Sequence, residues 1–208
     1  MSTLIVLLDR MAAELHDGSH AIWTTDELTA HLRRALHEID LAAPWPQVAT
    51  LAPAAGARTL DLTALGEVLD VTDVWFPYDA SGAQPPLRPG WRWLDDATLL
   101  LAVEQPADGV QVARVCYTRP HAIDGLDLAT ATTLGQTGQA LLVLGATAAA
   151  AEQLALARTG AVTVAHTTPD QLARWARERR ERFERLLRQL AARRRLQADP
   201  LVAWDVEV

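Results

Sequence analysis

Residues 169–196 hold ten arginines and four acids, a net charge of +6 in a chain whose total is −7. The planar guanidinium fork of arginine binds carboxylates and phosphates through paired hydrogen bonds, so such a cluster is equipped to dock on an anionic partner. Leu172, Trp175, Ala176, Phe183, Leu187 and Leu190 recur through the same stretch at helical spacing. That pattern predicts one long amphipathic helix, its apolar stripe opposite the charged face. Thr168 is placed to cap it and Pro169 suits its first turn; at 1.5 Å per residue it would be about 40 Å long. Three uses of the charged face are open. One is a solvated surface on which Glu178, Glu181 and Glu184 pair with arginines three or four residues away. The second is protein docking. The third is contact with nucleic acid: the acidic chain and the lack of a helix-turn-helix pattern speak against sequence reading, whereas duplex DNA running through a pore needs charge alone.

The other chemically capable residues do not assemble. His16 and His20 stand four apart, a metal-binding spacing on a helix, but Gly18 breaks the helix between them and predicts a solvated loop. His31 and His37 are six apart and share no helical face. Asp95-Asp96 reads as a turn rather than a pair of catalytic carboxylates, and His121 follows Pro120 without the partners of a triad. There is no HExxH, CxxC, P-loop or GxSxG pattern. Gly135 and Gly138 lie in an alanine-rich helical stretch rather than after a strand, so they form no phosphate loop. The expectation is a protein that is not an enzyme and takes neither metal nor cofactor. The lone Cys116 sits in an alternating strand pattern and is expected as a small buried core residue.

These residues need elements to position them. Leu4, Leu7, Leu8, Met11 and Leu15 predict a first helix ending at His16-Asp17-Gly18. Thr24 and Glu27 form a capping-box pattern before Leu28, Leu32, Ala35, Leu36 and Ile39, which predicts a second helix to about Ala42, stopped by Pro44-Trp45-Pro46. The period then changes to two. Strands are predicted at 48–51, 59–62, 71–76, 91–94, 98–103 and 110–118, with a hairpin turning at Asp95-Asp96 and with Val110, Val112 and Val115 pointing inward. Ser81 to Gly90 is expected to be a loop. Helix returns over 130–158, where Gly135, Gly138 and Gly145 would let another helix approach closely.

The fold class that follows is α+β: an antiparallel helical bundle of two N-terminal and two C-terminal helices, a small all-β module inserted between them, and an extended C-terminal tail. Residues 1–196 form the domain, with helices in 3–43, the β module at 47–119 and helices at 130–158 and 169–196; residues 197–208 are the tail. Leu28, Leu32, Leu36, Leu172, Trp175, Phe183, Leu187 and Leu190 are the expected helix-packing residues. All nineteen basic residues are arginine, and residues 1–165 carry net −10 against +3 for 166–208, which suits head-to-tail association of copies. The start of the chain lacks the pattern of a signal peptide and no apolar run reaches the ~20 residues of a membrane span. With one cysteine, synthesis in a reducing cytoplasm is expected.

This layout resembles the head-to-tail adaptor (connector, neck) proteins of tailed bacteriophages, over nearly the whole chain. The resemblance is carried by Leu15-His16-Asp17, then Trp23-Thr24-Thr25-Asp26-Glu27-Leu28 and Arg34-Ala35-Leu36-His37-Glu38, then Gln47-x-x-Thr50. Leu60-Asp61-Leu62, the valine-rich strand to Tyr117, His121-x-x-Asp124 and the Gly/Ala-rich third helix continue it. The order of these short motifs is more specific than any one of them. The resemblance implies a structural virion protein, assembled in the bacterial host cytoplasm. Such subunits form a homo-oligomeric ring, typically twelve-fold, beneath the portal. The C-terminal helix and tail dock on the portal, the far side receives the next neck or tail protein, and double-stranded DNA passes through the lumen without sequence reading. By position, Arg188, Arg193, Arg194, Arg195, Leu201 and Trp204 are the portal-facing candidates. The alternative is a cellular helical regulator or interaction domain that binds nucleic acid through its arginine-rich helix.

Overall fold

The computed structural model describes residues 2–81, 87–158 and 169–198. It is α+β, with four α-helices and two small antiparallel sheets. The chain divides into two compact units: a helical unit of the residues up to Ala43 with those from His121 onward, and a β unit of Pro44–Pro120.

In the helical unit, α1 (Leu4–Glu14) buries Leu7, Leu8, Met11 and Ala12. No side chain caps it; instead Leu4 N–H donates to the Asp124 carbonyl at 2.8 Å. The hydroxyl of Thr132 donates to the Ser2 carbonyl at 2.7 Å, so the residue ahead of the helix is tied to the 121–135 loop. The next helix, α2 (Thr25–Ala42), opens on a complete capping box: Thr24 Oγ1 accepts from Glu27 N–H, and Glu27 Oε2 accepts from Thr24 N–H at 2.8 Å. Leu28, Leu32, Ala35, Leu36 and Ile39 form its buried face.

The third helix, α3 (Gln136–Ala157), is apolar nearly all the way round, and a helix of that kind must be covered on every side. Its residues 141–151 are buried without a break as it packs against α1, α2 and α4 (Pro169–Ala198). By length and mean hydropathy, 1.6 over its most apolar window, α3 passes as a membrane span, although no unbroken apolar run in it reaches ~20 residues. Two thirds of that window is buried inside this unit, as expected of a core helix. The helix begins at Gln136, not at 130, because the chain stays irregular up to Gly135, whose backbone is extended, φ −67° and ψ 172°. The loop before it is held by side chains: Thr132 Oγ1 accepts from Asp124 N–H and Thr133 Oγ1 from Ala122 N–H, both at 2.9 Å.

The meeting of α3 with α4 is set by one pair. A Cβ added to Gly145 would lie 2.6 Å from Cε2 of Phe183, whose side chain is fully buried. Gly145 is therefore the notch that admits the Phe183 ring. Gly138 serves no such approach; the atoms nearest its absent Cβ belong to Leu134, one turn before it. Thr168, expected as the α4 cap, lies outside the described residues.

The β unit holds two three-stranded antiparallel sheets, ordered β1-β6-β3 and β2-β5-β4. Their strands are β1 (Trp45–Leu51), β2 (Thr59–Asp61), β3 (Asp70–Trp75), β4 (Trp91–Asp95), β5 (Thr98–Leu101) and β6 (Ala113–Arg119). Leu60, Val71, Val74, Leu99, Val115 and Tyr117 are among its buried core. The turn at Asp95-Asp96 joins β4 to β5, with Asp95 Oδ1 accepting from Ala97 N–H at 2.9 Å. Three expectations fail here. Val110 is 85% exposed and Val112 half-buried, because Asp108 accepts from both Val110 and Gln111 N–H and holds them in a turn; β6 begins at Ala113. Cys116 is half-buried on the face of β6 opposite Val115 and Tyr117, so it is not a core residue. Burial and then the nearby Asp73 push its thiol up, away from the reactive thiolate.

Candidate functional site

The arginine helix sorts its charges into two groups, and packing does the sorting. Arg179 and Arg180 turn inward. Arg179 lies 4.5 Å from the Trp175 ring centroid and pairs with Glu14 at the end of α1. Arg180 donates through both Nη atoms to the Glu38 carboxylate, at 2.9 and 2.7 Å, and through Nε to Glu184 at 2.9 Å. That fork joins α2 to α4, while the guanidinium covers Phe183 at 5.3 Å. The hydrogen bond to Glu38 raises the Arg180 pKa; burial lowers that of Arg179.

Six other arginines of α4 are exposed: Arg174, Arg177, Arg182, Arg185, Arg188 and Arg193. No acid follows Glu184 within the helix, so its C-terminal half presents positive charge alone. Cations at that end are favoured by the helix dipole. Of the portal-facing candidates, Arg188 and Arg193 are exposed. Arg194 is half-buried and close enough to His121 to disfavour a charged imidazole there. The Arg195 side chain, Leu201 and Trp204 lie outside the described residues. Leu28, Leu32 and Phe183 are fully buried and Leu36 nearly so, and Leu172, Trp175, Leu187 and Leu190 pack half-buried against the same core.

Sequence reasoning missed Glu14 and Glu38 as anchors and saw Arg179 and Arg180 only as parts of a charged face. No local signal marks them: the Glu38–Arg180 fork spans 142 positions, beyond any counting of helical neighbours. Nor did it find the Asp17 carboxylate, which accepts from the N–H groups of Ala21, Ile22 and Trp23 at 2.8, 3.0 and 2.9 Å.

Among the described residues, no group of three or more His, Cys, Asp or Glu side chains is arranged so as to hold a metal ion. His16 and His37 are exposed, and His31 is buried with a hydrogen bond to Gln153. His121 is a structural staple. Its N–H donates to Asp40 Oδ1 at 2.7 Å. Its Nε2 faces the Ala43 carbonyl at 3.2 Å and must carry the proton, leaving Nδ1 to accept from Thr133 Oγ1 at 2.9 Å. Burial holds both His31 and His121 below the ordinary 6.5, with Arg34 and Arg194 respectively adding to it. Between the depressed values and 6.5 the unfolded chain binds more protons than the folded one. Stability is therefore whole above that pH and falls as the pH drops below it. A series of Tm measurements from about pH 7.5 to about pH 5 should show this decline; a flat Tm would contradict it.

Chains of solved structures are similar to this one at low identity, two of them from particle necks. One, from the neck of an empty GTA particle computed with C6 symmetry, is 15% identical, covers 83% of this chain and 88% of its own, and gives a TM-score of 0.30. Another, from the neck of a native GTA particle computed with C12 symmetry, is 16% identical, with coverages of 85% and 91% and a TM-score of 0.29. No family model matches the chain, and no curated protein does.

Proposed function

We propose that this chain is a non-enzymatic structural protein of a phage-like particle neck: an adaptor subunit that assembles into a ring, docks on the portal and lets double-stranded DNA pass through its lumen. The observation that carries the reading is the order of elements. Two helices, an inserted β unit and two further helices whose charged residues beyond Glu184 are all arginine follow the layout that the sequence resemblance implies for an adaptor subunit. In this reading Arg188 and Arg193 face the portal, and Arg194, Arg195, Leu201 and Trp204 are the further portal-facing candidates. Charge complementarity would set docking rate and register, so binding should weaken with salt.

The test is the mass of the purified protein by light scattering, alone and mixed with the portal protein of the same genome. A ring, in either setting, supports the adaptor. The six exposed arginines of α4 also favour a second reading, a nucleic-acid-binding regulator. A subunit-sized particle that ignores portal but binds duplex DNA, with a steep loss of affinity on adding salt, would establish that reading in place of the first. Removing residues 197–208 should leave the helical unit folded, because its core lies upstream. It should weaken portal binding at least about tenfold, a change of about 1.4 kcal/mol. Unchanged portal affinity would remove the tail from the docking surface.

A further inference from the structure

Phe183 points from α4 into the Gly145 notch of α3, and that contact defines the two flanks of α4. At 3.6 residues per turn, Arg182, Leu186, Gln189 and Arg193 lie on one side of the Phe183 direction. Ala173, Arg177, Glu181 and Glu184 lie on the other. Each flank borders a cleft, at opposite ends of the α3–α4 pair. The first, about 380 Å³, has an apolar floor that includes Leu141, Leu144, Leu186 and Leu190, with Arg182 and Arg193 on its rim. The Glu14 carboxylate at its edge is already paired with Arg179. The second, about 290 Å³, carries Glu152, Asp170, Glu181 and Glu184. Of its two arginines, Arg180 is held by Glu38. At its edge stands Leu156, 70% exposed although it belongs to the core helix.

We infer that these flanks are the two halves of one contact between copies of this chain: Leu156 and the carboxylates around it on one copy seat against the apolar, arginine-rimmed cleft of the next. The inference deepens the ring reading above and rests on it. Three observations carry it. The free charges are complementary: Arg182 on one flank and Glu152 and Glu181 on the other have no ion-pair partner among the described residues, and the two carboxylates outnumber the one exposed arginine beside them, Arg177. The shapes and polarity match, an exposed leucine on one side and an apolar floor on the other. The two surfaces face nearly opposite ways, so the contact is head-to-tail and cannot close on itself as a two-fold dimer. Neighbours in a twelve-fold ring turn by only about 30°, which requires the two faces of a subunit to point in almost opposite directions.

The experiment uses two double variants of the full chain, Arg182→Glu with Gln189→Glu and Glu152→Arg with Glu181→Arg, which leave the portal-facing candidate Arg193 in place. All four side chains are exposed, so both variants should keep the wild-type Tm. Each alone should need at least about tenfold more protein to assemble, with or without portal, and otherwise run at the 22.7 kDa subunit mass. Mixed one to one they should recover the ring, because reversed rim then meets reversed knob around an alternating circle. Variants that assemble like wild type, or a mixture that stays at subunit mass, would overturn this interface while a wild-type ring left the adaptor reading standing. A wild type that stays at subunit mass in both settings would overturn the ring and this interface together.

Discussion

Replacing Phe183 with alanine should cost the helical unit about 3–5 kcal/mol, a large part of the 5–15 kcal/mol that holds a typical domain together. The side chain is fully buried in the notch left by Gly145, so its loss opens a ring-sized cavity between α3 and α4. Arg180, which covers the ring at 5.3 Å, loses that partner as well. The partner position gives a sharper test, because two effects oppose there. On an ordinary helix, Gly→Ala stabilises by about 1 kcal/mol. At Gly145 the new Cβ would stand within 3.0 Å of three atoms of the Phe183 ring, and overpacking of this kind costs about 1–3 kcal/mol. Gly145→Ala should therefore destabilise. Phe183→Leu in the same chain should recover part of the loss, a coupling that a double-mutant cycle in urea would measure. A Phe183→Ala variant with wild-type stability would place the stripe against a partner instead of the core.

Asp17→Ala should cost about 3 kcal/mol or more, again read from urea unfolding. The carboxylate is 4% exposed and accepts three backbone N–H groups that have no other partner in the turn between α1 and α2. That turn also carries His16 and His20 at left-handed φ values of 55° and 54°, so it depends on the anchor. Burial alone would raise this carboxyl. The bonds from Trp23, Ile22 and Ala21 overcome it and hold the group below the ordinary 3.8. The folded state then binds fewer protons than the unfolded one below that value. The stabilisation is thus complete above 3.8 and is lost as the pH falls past it. The gap between wild type and Asp17→Asn should accordingly narrow in acid; a gap independent of pH would show that geometry, not charge, anchors the turn.

The elements were legible where a local rule writes them. The Thr24–Glu27 box, the stripes of α1, α2 and α4 and the alternation of β3 and β6 each follow from a period of 3.6 or 2 and from end signals a few residues apart. The same rules misplaced what is settled by side chains reaching across a loop. Asp108 holds Val110 and Gln111 in a turn ahead of the strand, and the Thr132 and Thr133 hydroxyls support an irregular segment where helix was expected.

For the arginine helix, the residues alone determined its length, its charge and which side is apolar, because those depend on spacing along one element. Only the tertiary structure decided which arginines remain available. Arg179 and Arg180 are drawn inward by Glu14 and Glu38, carboxylates from helices far away in the chain, while Arg182, Arg188 and Arg193 stay outside. A periodic pattern states which face of a helix avoids water; it cannot state which neighbour supplies the cover, and the neighbour is what divides a pinned charge from a free one.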